Sequence, residues 1–334
     1  MAATNIEVWQ QGEIMEISQA ANDIKKIVIR QSKPAKADPG SHIDLMVKAN
    51  GEMVRRSYSV VSQSEDLRDL TLGVFLVPNS RGGSIAVHEL TVGDQLDITQ
   101  PLQNFPLRVG AERYVLIAGG IGVTAIMAMA VVLKRIGANY TLMYAARSSD
   151  AMAFREELKA IHGDNLQIFL DEDKNFIQIP ELIASLDDNT ELYICGPIRL
   201  MDAVRRAWTE SDLEYTNLRY ETFGASGWFN PEEFIVRIPA KNVEVLVDKQ
   251  HSMLEALEAA GVDMLSDCRK GECGLCEVRV SKLVGRVDHR DVFYSERQKE
   301  ESEKISCCVS RIVTSDTGLA SDASGPAVVE IITT

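Results

Sequence analysis

Three cysteines carry the clearest chemistry. Cys268, Cys273 and Cys276 stand in a C-x4-C-x2-C run, and Cys307 and Cys308 follow about 30 residues on. That is the plant-type spacing for a [2Fe–2S] cluster, which takes its fourth thiolate from further along the chain. Soft sulfur ligands select iron–sulfur or zinc. A zinc site more often shows paired C-x2-C units, so the spacing favours iron–sulfur. Gly271 and Gly274 let the backbone wrap closely and turn its N–H groups toward the sulfurs. If that segment is extended, neighbouring side chains face opposite ways, and only one of Cys307 and Cys308 can reach the cluster. Spacing alone does not choose between them. The sequence lacks the His and Cys pairs of a Rieske centre, so such a chain passes electrons and is not itself the oxygenase.

A second candidate is Gly120-x-Gly122-x-x-Ala125, after an apolar strand and before a helix, where a pyrophosphate could meet a helix N-terminus. No acidic residue lies between Glu112 and Asp150, so the usual ribose-binding carboxylate is missing. The other reading is a tight turn that needs glycine for packing alone. Cys195-Gly196-Pro197 ends the last strand of this region, where ligands collect in parallel sheets. Two further loops, Arg55-Arg56-Ser57-Tyr58-Ser59 and Ser80-Arg81-Gly82-Gly83-Ser84, combine guanidinium groups, hydroxyls and glycine N–H groups suited to a phosphate, with a tyrosine that could cover a planar ring. Such loops are also common as solvated turns. His42, His88, His162, His251 and His289 are dispersed and read as structural or surface residues. His289-Arg290-Asp291 has the form of a kinase catalytic loop, but Glu296 stands where that motif needs Asn.

The elements that must position these residues fall into three patterns. Residues 1–106 hold short alternating runs, among them 25–30, 42–47, 70–75 and 95–98, separated by turn signals, which predicts an antiparallel barrel or sandwich. Residues 107–225 alternate strands (114–118, 140–145, 166–170, 192–195) with helices near 124–136, 151–161 and 198–211, a parallel doubly wound sheet. A linker at 226–233 leads to residues 234–334, with strands at 234–238 and 243–247, an amphipathic helix carrying Met253, Leu254 and Leu257, and the cysteine loop.

The 334 residues are 45% hydrophobic and carry a net charge of −14, which excludes a general affinity for nucleic-acid phosphates. Residues 114–133 are uncharged and long enough for a membrane span, but Gly119, Gly120 and Gly122 break them into a strand and a buried helix. With no targeting segment in residues 1–30, a cytoplasmic chain without membrane contact is expected.

Together these residues resemble the phthalate dioxygenase reductase family, which includes vanillate demethylase reductases, over essentially the whole chain. The resemblance implies a flavin barrel, a nicotinamide domain and a C-terminal β-grasp plant-type ferredoxin. Arg56-Ser57-Tyr58-Ser59 is similar to the family's flavin motif, with Tyr58 against the isoalloxazine. Arg81-Gly82-Gly83-Ser84 is similar to its phosphate loop, which implies FMN. Gly119-Gly120-Ile121-Gly122-Val123-Thr124 and Cys195-Gly196-Pro197 resemble its nicotinamide motifs. Glu221-Thr222-Phe223-Gly224 resembles the segment that sets an aromatic beside the flavin. The family ending C-V-S-R matches Cys308–Arg311, which implies Cys308 as fourth ligand and Cys307 as a spare thiol. Ala125 stands where the family has Pro, residues 281–284 look added after the cluster loop, and residues 314–326 look like an inserted loop before a last strand at 328–332.

The resemblance implies NADH as donor, although Arg147 could accept a 2′-phosphate. It places Cys195, Phe223 and Ser59 nearest the redox chemistry, and makes the partner a Rieske-type aromatic-ring oxygenase met in a transient complex by a monomeric reductase. Two alternatives stay open: the same electron chain feeding a cytochrome P450 or another acceptor, and a non-enzymatic redox sensor or ferredoxin module.

Overall fold

The computed structural model describes residues 7–49, 51–78, 80, 82–224, 227–314 and 325–333. Its first strands are β1 (Trp9–Ala21), β2 (Ile24–Gln31), β3 (Ser41–Ala49), β4 (Glu52–Gln63), β5 (Asp69–Phe75), β6 (Gln95–Thr99) and β7 (Leu102–Gln103), with helix α1 (Gly83–His88) after β5. They run in the order β4-β5-β2-β1-β6-β3, and β3 pairs back onto β4, which closes six strands into an antiparallel barrel. Period-two alternation fills the interior: Ile27, Ile29, Leu70, Leu72 and Ile98 are fully buried.

The next region holds β8 (Arg113–Gly119), α2 (Val123–Arg135), β9 (Tyr140–Ala146), α3 (Arg155–His162), β10 (Leu166–Leu170), α4 (Ile179–Ala184), β11 (Thr190–Cys195), α5 (Ile198–Thr209) and β12 (Leu218–Glu221). The sheet order is β10-β9-β8-β11-β12, all parallel. The uncharged stretch 114–133 is β8, a glycine turn and α2, apolar because both are buried. Among the described residues no helix is long and apolar enough to cross a membrane. The helix expected near 151–161 begins only at Arg155. Met152, Ala153 and Phe154 turn into the core first, and Phe154 takes a left-handed φ of 58° that no continuous helix admits.

The last region contains β13 (Phe234–Ile238), β14 (Val243–Val247), α6 (Met253–Ala259), β15 (Glu277–Val284), β16 (Arg286–Asp288), α7 (Glu296–Glu301), β17 (Lys304–Ser306), β18 (Arg311–Val313) and β19 (Ala327–Ile332). The order β14-β13-β19-β15-β17, with α6 packed on β14, is a β-grasp. Ser252 caps α6 reciprocally with Glu255, worth about 1 kcal/mol. Residues 281–284 lengthen β15 along β19 through a register shift between Val280 and Lys282. Of the stretch 314–326, residues 315–324 lie outside the described residues.

The chain divides into two compact units, Met1–Gly196 with Ala203–Glu221, and Pro197–Asp202 with Thr222–Thr334. In the second unit, part of the stretch expected as a linker is tied down. Trp228 N–H donates to Asp288 at 3.0 Å, and the buried Arg290 guanidinium bonds Phe229 O at 3.0 Å.

Candidate flavin, nicotinamide and iron–sulfur sites

Strand β4 presents Arg56 and Tyr58 on one face, because alternate residues share a side. Arg56 lies across Gly83, where an added Cβ would fall 2.2 Å from its Nε. The 82–84 turn and the β4 motif are therefore one site. Gly82 takes a φ of 84° at the start of α1, and the buried Ser84 hydroxyl donates to Ser80 Oγ at 2.8 Å. Burial pushes the Tyr58 phenol up to about 12, opposed by the nearby Arg56 charge, so it stays neutral. Ser57 faces the opposite side, hydrogen-bonded to the buried Asp44 that also pairs with Arg55. Ser59 is buried further along the strand. Arg81 lies outside the described residues.

Helix α2 packs against β4, and the glycine turn lies against β5 of the same barrel. β8 and β11 are the central pair of the parallel sheet, where the strand order switches direction, and their carboxyl ends carry Gly119 and Cys195. Ligands bind at such a point. The two glycines of the turn serve different ends. A Cβ on Gly122 would fall 2.2 Å from Cys195 O, so that glycine is needed for packing. Gly120 has a φ of 52° with nothing within 4 Å of its missing Cβ, which leaves an open backbone cradle. Thr124 donates to Ile121 O at 2.9 Å and its methyl reaches Gly73 of β5. Cys195 is fully buried, Gly196 follows it, and Arg147 is exposed beyond β9. Pro197 and Phe223 belong to the second unit, where Phe223 is 37% exposed.

The cysteine loop folds onto its own sulfurs. Cys268 Sγ accepts backbone N–H groups from Lys270, Glu272 and Cys273, each at 3.4 Å. Cys273 pairs with Cys268 through its thiol. Cys276 is held as a thiolate by the thiols of Cys307 and Cys308, which push its pKa down to about 3 and are themselves pushed up. Residues 307–309 form a turn rather than an extended segment, so both thiols lie beside Cys276, though their further surroundings differ. Cys307 is fully buried in the apolar core and lies 3.0 Å from Cys276 O, whereas Cys308 takes the Gly271 N–H and feels Cys268. All six cysteines are free. Among the described residues no three His, Cys, Asp or Glu side chains are grouped to hold one metal ion. A [2Fe–2S] centre asks for four thiolates shared between two irons, and the pair Cys268/Cys273 together with Cys276 and the two thiols beside it, Cys307 and Cys308, with N–H donors aimed at sulfur, fit that demand.

Sequence reasoning missed the groups that brace this loop. Val292 N–H donates to Gly271 O at 3.0 Å. The fully buried Asp291 accepts from Tyr294 N–H at 3.0 Å and from Ser310 Oγ at 3.3 Å, with His289 Nδ1 at 3.4 Å. Burial works to raise its pKa, but the His289 bond and the Lys299 charge outweigh that and lower it. The triplet 289–291 is thus a structural brace. From the other side, Thr222 bonds to Lys270 and Glu272. Contacts spanning 50 residues of chain leave no local signal.

Known proteins bear on these three sites directly. The family model for the oxidoreductase FAD-binding domain matches residues 11–106, that for the 2Fe-2S iron-sulfur cluster binding domain residues 236–313, and that for the dimethylamine monooxygenase subunit DmmA-like N-terminal domain residues 100–218. These define an iron–sulfur flavoprotein oxidoreductase that takes electrons from a pyridine nucleotide. The chain is 32% identical to the carnitine monooxygenase reductase subunit of Acinetobacter pittii, over 81% of this chain and 88% of that one. It is 35% identical to the vanillate O-demethylase oxidoreductase of Pseudomonas sp. HR199, over 82% and 87%. Among solved structures, phthalate dioxygenase reductase matches with a TM-score of 0.69 at 27% identity, over 96% of this chain and 98% of that one. A type IV self-sufficient cytochrome P450 monooxygenase matches at 32% identity with a TM-score of 0.64, over 97% of this chain; the chain spans 41% of that protein's length. This chain belongs to the phthalate dioxygenase reductase family, and is a reductase of the kind that serves oxygenase systems.

Proposed function

We propose that the protein carries electrons from NADH through FMN and a [2Fe–2S] cluster to a separate Rieske-type oxygenase that acts on an aromatic ring. The observation that carries this is the set of paired sulfurs in one chain with the Arg56–Gly83 and Gly119–Thr124 sites. When bound, the flavin supplies hydride acceptance and the cluster single-electron acceptance, so the protein contributes position and electrostatics.

Each group of residues has a stated task. Arg56, with Arg81 and the 82–84 turn, holds a phosphate through guanidinium and backbone N–H groups. Tyr58 and Phe223 offer flat apolar faces to the flavin ring, and Ser57 and Ser59 sit along the same strand. The 119–124 turn, Cys195-Gly196-Pro197 and Arg147 receive the dinucleotide at the carboxyl ends of the parallel strands. Cys268, Cys273, Cys276 and Cys308 hold the cluster, with Cys307 outside it. The partner is met in a transient complex by a monomeric reductase in the cytoplasm.

An anaerobic NADH titration followed by visible absorbance tests this. Bleaching of both flavin and iron–sulfur bands, with two electrons for the flavin and one for the cluster, is the expected result; cluster bands left unchanged by NADH would overturn it. A higher kcat/KM for NADPH than for NADH would overturn the donor assignment. The likeness to part of a self-sufficient P450 supports a second reading, in which the acceptor is a haem monooxygenase. Mixing the reduced protein with each class of acceptor separates the two.

A further inference from the structure

Thr222 and Glu272, 50 residues apart in the chain, meet in the second unit. Thr222 N–H donates to Glu272 Oε1 at 2.8 Å. Its hydroxyl lies 2.9 Å from Lys270 O and 3.0 Å from Glu272 Oε1, and can donate to either. Lys270 and Glu272 also aim their own N–H groups at Cys268 Sγ. On the far side of Phe223, Gly224 approaches Lys270, with 3.7 Å from its missing Cβ to Lys270 Cα. Phe223 is therefore bracketed on both sides by contacts to the loop that carries the first cluster ligand. Thr222 is buried, so these hydrogen bonds are shielded from water and keep their strength.

We propose that Glu272 and Thr222 are positioning residues that clamp the Cys268–Cys273 loop to the Phe223 segment, and so fix how far the flavin's aromatic neighbour stands from the cluster. This rests on the reading that Phe223 adjoins the flavin. The clamp makes two short connections from the Phe223 backbone to Cys268 Sγ. One runs through the Thr222 N–H, the Glu272 carboxylate and the Glu272 N–H; the other through the Thr222 hydroxyl and Lys270. The step it serves moves one electron from reduced flavin to the cluster, oxidising the flavin by one electron and reducing one ferric iron to ferrous, with no bond to iron or sulfur made or broken.

Three variants of the full-length holoprotein test it: Glu272→Gln, Glu272→Ala and Thr222→Val. Gln keeps a carbonyl acceptor for the Thr222 N–H; Ala removes it. Both discard the same negative charge and so raise the cluster's midpoint potential alike. Stopped-flow reduction by NADH separates hydride transfer to flavin from cluster reduction, and hydrogen exchange follows the amides of residues 268–273. The expected result is unchanged hydride transfer in all three. Cluster reduction slows about 10-fold in Glu272→Ala, less in Thr222→Val, and stays near wild type in Glu272→Gln. Loop exchange speeds up in the same order.

Equal slowing in Gln and Ala variants would assign the effect to charge and overturn the clamp. So would unchanged rates and unchanged exchange in Glu272→Ala and Thr222→Val. If NADH fails to reduce the flavin of the wild-type protein, the proposed function falls, while the exchange measurement still decides whether the loop is clamped.

Discussion

The glycine turn at 119–124 and the cysteine loop at 268–276 both present backbone N–H groups, yet they are held by opposite means. The turn at 119–124 is squeezed between two fully buried parallel strands, and its shape depends on a side chain being missing: Gly122 meets Cys195 O. The cluster loop at 268–276 has little apolar mass of its own. It depends on particular polar side chains being present, with Thr222 on one side and Asp291 on the other. A cradle for a dissociable ligand can be built from packing alone. A loop that must hold four thiolates around charge needs a hydrogen bond for each buried polar group.

Substitutions should pull the two regions apart. The largest effect belongs to the cluster loop. Cys308→Ala is expected to abolish the iron–sulfur absorbance and its EPR signal while NADH still bleaches the flavin; Cys307→Ala should keep both signals, and loss of the cluster there would reverse the ligand assignment. Next comes Gly122→Ala. Its new methyl meets backbone, which cannot swing aside, so urea denaturation should report a loss of about 3 kcal/mol in the first unit, with the cluster's EPR spectrum unaltered.

A pH effect follows, again confined to the first unit. His162 is buried with Tyr140 Oη 2.7 Å from its Nδ1, and burial, aided by the Lys134 charge, lowers its pKa from 6.5 to about 4. The unfolded chain binds a proton near pH 6.5 that the folded chain refuses until about pH 4. Stability from this group is whole above pH 6.5 and falls as pH drops toward 4, by about 3 kcal/mol. His162→Gln should flatten that acid limb in thermal melts. The smallest effect is expected at Gly120→Ala, where space is open and only the left-handed backbone resists, about 1 kcal/mol; it should show as a higher KM for NADH with cluster spectra unchanged.

Much of the fold was legible because local periodicity encodes it. The parallel strands and their helices could be placed from apolar runs and glycine turns, and the first two strands expected in the last region, 234–238 and 243–247, stand at those residues. The barrel's alternation was legible too, but its closure was not. β3 and β4 are neighbours in the chain and pair locally, but pairing β6 onto β1 and β3 depends on register between strands far apart in sequence, which no short window contains. The late start of α3 was hidden for a related reason. Residues 151–161 have ordinary helical composition, and only the burial of Met152–Phe154 against the rest of the unit prevents the helix from starting early.

The sequence by itself determined the class of chemistry. A C-x4-C-x2-C run with a distant cysteine names the cluster, because ligand type and spacing are local properties of a chain, while the Arg56–Ser59 and Gly119–Thr124 motifs point to their ligands through the family resemblance. What tertiary structure decided is the surroundings each neighbour meets. Cys307 and Cys308 are identical in type and adjacent in sequence; only the fold sends one thiol to the Cys276 carbonyl in the core and the other to the Gly271 N–H. Likewise Ser57 and Tyr58 share a motif but face opposite sides of β4, and Thr222 finds Glu272 only because the second unit brings them together. Direction and distance between residues far apart in sequence are set by packing, and no spacing rule encodes them.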